Sequence, residues 1–125
     1  MNILISNASS DPIYLQIKNQ IKAAIITGEL QEQGQLPSIR FLAKELRVSV
    51  ITTKRAYDEL EMEGFINSVQ GKGSFVALRN RELIREEQLR KVENYMLKAI
   101  KEGRLAGLSL DHLKQMLETL EDEYE

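Results

Sequence analysis

The chain has 125 residues, of which 42% are hydrophobic and 29% charged, and a formal net charge of −2. This length and composition are typical of one ordinary soluble domain, or of a small domain with an appendage. The absence of cysteine excludes disulfides, thiolate metal ligands and a cysteine nucleophile. The N-terminus is neither a signal peptide nor a membrane span, because its apolar run is short and no basic region precedes it, so we expect a cytoplasmic protein.

The N-terminal part of the chain predicts a short arm and a scaffold helix. Residues 3–5 are apolar and could form a strand or an arm lying on the domain. Asp11 and Pro12 favour a helix start, with Asp11 as the cap and Pro12 in the first helical position. The helix should end at Gly28, before a polar connector at residues 28–34. Its apolar positions are Tyr14, Ile17, Ile21, Ala24 and Ile25.

Residues 36–57 predict two short helices joined by a tight turn. Ser38 follows Pro37 as the N-cap of the first helix, and Ser49 is the N-cap of a second helix that ends near Gly64. Such a pair fits a helix-turn-helix, whose second helix enters the major groove of DNA by its N-terminal end. The predicted buried positions are Ile39, Leu42, Ala43 and Leu46 in the first helix, and Thr53, Ala56, Tyr57 and Leu60 in the second.

Charge is clustered on this helix pair, although the whole chain is slightly acidic. Residues 36–57 carry several basic residues and a single acidic residue, Glu45, so one face can be positive. Four acidic residues follow at the far end of the second helix, away from a ligand bound at its N-terminal end. The basic residues of the pair are Arg40, Lys44, Arg47, Lys54 and Arg55.

A β-hairpin is predicted directly after the helix pair. Residues 65–70 and 74–77 could form two strands, and Gly71, Lys72 and Gly73 a turn that needs positive φ. A hairpin in this place is the wing of a winged helix, and its tip would lie beside phosphate or in the minor groove. Taken singly, both features stay ambiguous, because amphipathic helix pairs and glycine-flanked turns also occur in ordinary folds.

The last third of the chain predicts two further amphipathic helices. Almost no residues that favour turns occur in this part before Gly103, and Ser109 caps the second helix. Two such helices cannot bury their apolar faces alone, so they pack on the winged domain or on a second copy of the chain. The predicted dimerisation residues are Leu89, Val92, Met96, Ala99 and Ile100 in the first helix, and Leu113, Met116, Leu117 and Leu120 in the second.

The motifs LPSIR, LAKEL, VS, KRAY, LEMEGF and GKGSFV occur in this order between Pro12 and Ala77. In sequence and spacing they resemble the N-terminal domain of GntR-type bacterial transcription regulators. The resemblance covers more than half of the chain and implies binding to double-stranded DNA. The short C-terminal part resembles that of the YtrA-like subfamily, in which it serves dimerisation and whose members often control neighbouring transporter operons.

The resemblance also implies roles for individual residues. Arg40 would contact phosphate or a base edge, Ser49 would cap the recognition helix and touch the DNA backbone, and the glycine-flanked Lys72 would form the wing tip. The side chains after Ser49 lie where family members reach bases or phosphates. The full set of DNA-binding candidates is Arg40, Ser49, Val50, Ile51, Thr52, Lys54, Arg55, Gly71, Lys72 and Gly73.

Two residues depart from the family pattern. Arg47 occupies a turn position where the family usually has glycine, so we expect either a left-handed backbone, at a cost of about 1 kcal/mol, or a slightly different turn. Val50 replaces an arginine or other polar residue, so one guanine contact would be missing. Specificity would then depend on apolar contacts, such as a branched side chain against a thymine methyl, and on DNA shape.

The sequence predicts no enzyme activity, cofactor or metal site. His112 is the only histidine and is expected on the surface, and the acidic residues near the C-terminus lack the spacing and central glycine of a calcium loop. No phosphate-binding loop, nucleophile elbow or metalloprotease motif is present in the sequence.

The expected fold is mainly α with a small β-hairpin: a winged helix-turn-helix domain at residues 1–77 and a two-helix dimerisation region at residues 78–125. The first hypothesis is a homodimeric, sequence-specific regulator, of the repressor type, acting on a palindromic operator. The second is a winged-helix module that binds protein, which exposed aromatic residues on the recognition helix would favour. Whether a small-molecule effector binds stays open.

Overall fold

The computed structural model describes residues 1–78 and 81–124, so Arg79, Asn80 and Glu125, which belong to the predicted second region, lie outside the described residues. The elements are α1 (Ile13–Ile26), α2 (Ile39–Leu46), α3 (Val50–Met62), β1 (Ile66–Val69), β2 (Gly73–Val76), α4 (Arg81–Leu105) and α5 (Leu110–Tyr124). The prediction of a mainly α fold with a small β-hairpin is confirmed. The chain divides into two units, Met1–Arg81 and Glu82–Glu125.

Helix α1 begins one residue later than its start signals indicate. Pro12 has extended backbone (ψ 153°) and occupies the N-cap position, so the prediction of Asp11 as cap and Pro12 as first helical residue is wrong. No side chain in the described part of the chain caps this helix. The carbonyl of Pro12 instead accepts the amides three and four residues further on, both at 3.1 Å. The predicted end of the helix is confirmed, with Gly28 at φ 83°.

The N-terminal arm lies along α1 without forming a strand. The side-chain amide of Gln20 accepts a hydrogen bond from the Leu4 nitrogen at 2.9 Å and donates one to the Leu4 carbonyl at 2.7 Å. Gln16 forms the same pair of bonds with Ser6, at 2.8 and 3.0 Å. Two side-chain amides therefore satisfy the backbone of the arm as a neighbouring strand would, while Ile3 is buried in the core.

Both N-caps predicted for the helix pair are confirmed. The Ser38 hydroxyl accepts a hydrogen bond from the Phe41 amide at 3.1 Å, and the Ser49 hydroxyl accepts one from the Thr52 amide at 3.0 Å. Between the helices, Arg47 ends α2 in the left-handed conformation, with φ 56° and ψ 44°. Of the two alternatives for this turn, the left-handed backbone is correct.

Helix α3 lies at the centre of the first unit and packs against α1, α2 and β1. The predicted buried face of α3 is confirmed, and its polar groups are satisfied. The fully buried Thr53 donates its hydroxyl hydrogen to the Ser49 carbonyl at 3.1 Å, and Tyr57 donates to the Pro37 carbonyl at 2.8 Å. Burial raises the pKa of Tyr57 to about 12. The core also contains Ile17, Ile21, Leu36, Leu42, Ala56, Leu60, Phe65, Ile66 and Val76.

Strands β1 and β2 form an antiparallel hairpin in which Val69 lies opposite Gly73. The polar connector before α2 also joins this sheet, which the sequence did not predict. The Gln33 amide donates to the Val76 carbonyl at 2.9 Å, and the Val76 amide donates to the Gly34 carbonyl at 2.8 Å. The wing is therefore fixed at its base by a segment that precedes the helix pair in the chain.

In the second unit, α4 and α5 are joined by a turn at Gly107, which has φ 76°. Gly103, which was expected to be the first residue favouring a turn, lies inside α4 and is buried. A Cβ atom at Gly103 would lie 3.1 Å from a methyl carbon of Leu113, so glycine lets the two helices approach closely here. The Ser109 hydroxyl accepts the His112 amide at 3.2 Å, which confirms the predicted cap of α5.

We expect Arg47→Gly to be more stable to unfolding than Arg47→Ala, by about 1 kcal/mol. Alanine keeps the Cβ atom that disfavours the left-handed conformation, and glycine lacks it. Glycine also raises the conformational entropy of the unfolded chain, but this offsets only part of the stability gained in the folded state. Urea unfolding of the two variants measures the difference, and because both lack the arginine charge, the comparison isolates the backbone term. Equal stabilities would contradict a conformational cost at this position.

Candidate nucleic-acid interface

The N-terminal end of α3 presents side chains away from the core. Ile51 is 82% exposed and Val50 47% exposed. Ser49 is also exposed, and its hydroxyl donates to the Thr52 hydroxyl at 2.7 Å. Because the buried face of α3 is occupied by residues three to four positions apart, the residues between them must point outward. The structure thus brings four of the DNA-binding candidates together on one exposed end of a helix.

The two basic candidates on α3 are engaged within the chain. Lys54 forms an ion pair with Asp58 at 2.7 Å, on the exposed helix surface. Arg55 donates to Glu59 at 3.3 Å, and its guanidinium lies 3.7 Å from the centre of the Tyr14 ring. An exposed pair one helical turn apart is weak, so Lys54 can exchange Asp58 for another anion. Arg55 has two partners and is directed toward α1.

Four other cations, on the helix pair and the wing, form no such ion pair with the described residues. Among the described residues, no acidic group lies within ion-pair distance of Arg40, Lys44, Arg47 or Lys72. All four side chains are exposed. Arg40 belongs to the first turn of α2, Arg47 to the turn before α3, and Lys72 to the wing. The helix pair and the wing therefore carry positive charge that is open to an external anion.

Two acidic residues at the other end of α3, Glu59 and Glu63, are paired with α1. Lys18 contacts Glu63 and lies 3.0 Å from a Glu59 oxygen, and Lys22 lies 3.6 Å from Glu63. The hydrogen bond to Glu63 raises the pKa of Lys18, and the hydrogen bond from Lys18 lowers the pKa of Glu59. Both shifts favour the charged forms, so negative charge at this end is compensated by α1.

The wing tip is held by Gln35, a residue that the sequence reasoning missed. Its side-chain amide donates to the Lys72 carbonyl at 2.9 Å, and the Lys72 amide closes the turn onto Val69 at 2.9 Å. Gly71 has φ 77°, as the predicted turn requires. Gly73 also has positive φ, but it is the first residue of β2 and not part of the turn. A Cβ atom at Gly73 would lie 3.0 Å from the side-chain amide nitrogen of Gln35.

No local pattern marks Gln35, because its partner is 37 residues away in the chain. The one signal available was its place immediately before the LPSIR motif, opposite a glycine-rich hairpin. Between the wing and the start of α2 lies a shallow groove whose lining includes Gln35, Ser38, Ser68 and Lys72. The structure thus links the connector, the wing and α2 in one surface.

The predicted dimerisation residues lie on the surface of the second unit. Six of them, on both helices, are between 45% and 55% exposed in the single chain. Ala99 is also exposed, whereas Ile100 and Leu113 are partly buried. The six are Leu89, Val92, Met96, Met116, Leu117 and Leu120. The single chain therefore leaves the apolar faces of α4 and α5 about half open.

The remaining chemistry of the described residues is limited. His112 is exposed, as predicted, and its Nδ1 lies 3.0 Å from the Ser109 hydroxyl at the start of α5. Residues 1–78 and 81–124 contain no group of three His, Asp or Glu side chains placed to hold a metal ion. Among the helices that the structure describes, none combines the length and apolar character needed to cross a membrane.

Comparison with known proteins identifies the family. Residues 13–76 match the family described as bacterial regulatory proteins, gntR family. The HTH-type transcriptional repressor YtrA of Bacillus subtilis (strain 168) is 30% identical over 94% of this chain and 91% of its own. A GntR family transcriptional regulator from Listeria monocytogenes superposes with a TM-score of 0.75, at 28% identity over 92% of this chain and 98% of that one.

The DNA-binding domain of AraR, solved in complex with operator ORX1, covers 62% of this chain and 96% of its own, at 31% identity and a TM-score of 0.55. The similarity to YtrA extends over nearly the whole chain, and the family match at residues 13–76 includes the helix pair and the wing. The chain therefore belongs to the GntR family of bacterial transcriptional regulators and carries the family's winged helix-turn-helix DNA-binding domain.

Proposed function

We propose that the chain acts as a homodimeric repressor that binds a palindromic DNA operator. The observation that carries the proposal is the N-terminal end of α3, which is exposed beside unpaired cations while the acidic end of the helix is paired with α1. Phosphates attract such cations, and binding releases counterions from DNA. YtrA is named a transcriptional repressor, and the AraR domain was solved in complex with an operator; both support the same role for this chain.

The side chains divide by chemistry into two groups. Arg40, Lys54 and Lys72 suit phosphate contacts, and the Ser49 hydroxyl with the first amides of α3 suits the DNA backbone. Val50, Ile51 and Thr52 are assigned to the major groove. Gly71 and Gly73 allow the wing backbone to approach DNA. Arg55 is the remaining DNA-binding candidate. Its contacts with Tyr14 and Glu59 would limit how far its guanidinium can extend toward DNA.

The second unit is assigned to dimerisation. Apolar faces that are half open in one chain are suited to a partner with the same surface, and a symmetric pair places two recognition helices for two half-sites about one helical turn apart. On this assignment residues 1–77 bind DNA and residues 78–125 hold the dimer. By resemblance to the YtrA-like subfamily, the proposed target is a transporter operon controlled in the cytoplasm.

One observation favours DNA over protein as the partner of α3. The single aromatic residue in this helix, Tyr57, is 2% exposed, so the recognition helix presents no aromatic anchor of the kind that dominates protein interfaces. From Val50 to Arg55, its outer surface consists of branched, hydroxyl and basic side chains. The hypothesis of a protein-binding module therefore has no specific support on this surface.

The direct test is selection of sequences from a random double-stranded DNA library by the full chain. The selection is done at about 150 mM salt, where weak binding driven by counterion release is largely suppressed. An inverted repeat with half-sites about one helical turn apart is the expected result. Retention of no particular sequence by folded, dimeric protein would refute the proposal.

We expect Lys72→Ala and Arg40→Ala each to weaken binding to all DNA sequences. Each variant should also reduce the slope of log affinity against log salt by about 0.9, the value for one lost phosphate contact. Fluorescence anisotropy at several salt concentrations measures both effects. Lys114→Ala removes the same charge from α5 and is the control. A variant whose slope matches that of the wild type would remove the residue from the set of phosphate contacts.

We expect Gln35→Ala to weaken DNA binding by about fivefold, the effect of one hydrogen bond that no longer holds the wing tip. Gln35 bonds the main-chain carbonyl of Lys72, which Lys72→Ala keeps. If Gln35 serves only to position the Lys72 side chain, the double variant with Lys72→Ala should bind no more weakly than Lys72→Ala alone. Gln31→Ala, in the connector directly before Gln35, is the matched control. Additive losses in the double variant would show that Gln35 acts independently of the wing lysine.

We expect the double substitution of Val92 and Met96 by Asp to dissociate the dimer while the first unit stays folded. Two carboxylates would have to be buried in an apolar interface, which is strongly unfavourable. Analytical ultracentrifugation gives the oligomeric state, and circular dichroism gives the fold. Asn94→Asp adds a negative charge to another face of the same helix and is the control. A double variant that still sediments as a dimer would place the interface elsewhere.

A further inference from the structure

We propose that Ile51, with Val50 beside it, recognises the 5-methyl groups of thymine in the major groove. This inference rests on the proposed function and adds the chemical group that the recognition helix selects. It begins from the exposure of Ile51, which is 82% exposed at the second residue of α3, the end of the helix assigned to the major groove. Covering an aliphatic side chain with an apolar group of a ligand removes it from water and is favourable.

The direction of Ile51 is set by the core. The buried residues of α3 follow at helical spacing, and Ile51 lies on the face opposite to them. The helix start that carries Ile51 is itself fixed, because the Ser49 hydroxyl bonds both the amide and the hydroxyl of Thr52. The side chain thus projects from a rigid first turn and not from a mobile loop.

The polar side chains of α3 are the poorer candidates for reading bases. Arg55 would have to leave both the Tyr14 ring and Glu59 before its guanidinium could form a bidentate contact with guanine. Lys54 is paired with Asp58, and the Thr52 hydroxyl already accepts the bond from Ser49. Val50 and Ile51 are the exposed side chains in the first turn of α3 that hold none of these contacts, and both are aliphatic.

The surroundings of Ile51 fit DNA as the surface that covers it. Arg40, Lys44 and Arg47, on the same helix pair and its turn, are exposed and form no ion pair with any residue that the structure describes, so they can attract a phosphate backbone. Thymine alone among the four bases presents a methyl group in the major groove. An exposed aliphatic side chain on a helix pair that carries exposed cations is therefore suited to contact a thymine methyl group in DNA.

The test replaces single thymines of the selected DNA by deoxyuridine, which removes the methyl group and preserves base pairing. The full-length wild-type protein should lose roughly fourfold in affinity at one or two thymine positions in each half-site, the effect expected for one buried methyl group. At one position where the wild type is sensitive, the Ile51→Ala variant should bind the thymine duplex and the uracil duplex with equal affinity. Val50→Ala should have the same effect at any neighbouring sensitive position.

Met62→Ala is the matched control, because Met62 is 86% exposed on the same helix but lies at its opposite end. This variant should fold, bind and discriminate thymine from uracil as the wild type does. Circular dichroism of each variant separates loss of discrimination from loss of fold.

Three results would overturn the inference. If the wild type binds a selected sequence but no thymine is sensitive to loss of its methyl group, methyl recognition fails while the proposed function stands. If a thymine is sensitive and both Ile51→Ala and Val50→Ala keep the full discrimination, other residues read the methyl group. If the library yields no sequence at all, the proposed function fails and this inference fails with it.

Discussion

The packing of α3 is the constraint on which the rest of the first unit depends. One face of this helix, from Thr53 to Leu60, is buried against α1, α2 and β1, and its buried hydroxyls are bonded to the Ser49 and Pro37 carbonyls. Because a helix has fixed angular spacing, burying one face also determines which residues face solvent. The outward direction of Ile51 therefore follows from the packing of the core.

The charges of the unit are ordered along α3. At its C-terminal end, Glu59 and Glu63 are compensated by Lys18 and by Lys22 of α1, so the pairs that tie α1 to α3 also neutralise these two acids. Before its N-terminal end, Arg40 of α2 and Arg47 of the turn form no ion pair with any described residue. A chain with a net charge of −2 can thus present a positive surface locally, because distribution and not the total decides the field at a groove.

Long-range contacts complete the surface of the first unit. The connector before α2 pairs with β2, and Gln35, directly after this connector, holds the wing tip at the Lys72 carbonyl. The wing is thus positioned by residues distant in sequence. In the second unit, by contrast, the apolar faces of both helices stay half open in the single chain. The first unit has a closed core, and the second is suited to completing its core with a partner.

The sequence by itself determined the helix pair, both serine caps, the buried face of α3 and the hairpin, because capping and periodicity are local and leave a pattern within a few residues. It did not determine that Pro12 lies outside α1, that Gly103 lies within α4, or that Gln35 holds the wing. The position of Pro12 is a local feature, in which its carbonyl accepts the amides of the first turn. Tertiary structure decided the other two, since the close approach of two helices and a hydrogen bond across 37 residues depend on partners that no local window contains. The engagement of Arg55 with Tyr14 belongs to the same class, because a stacking partner on another helix is fixed only once α1 and α3 pack together.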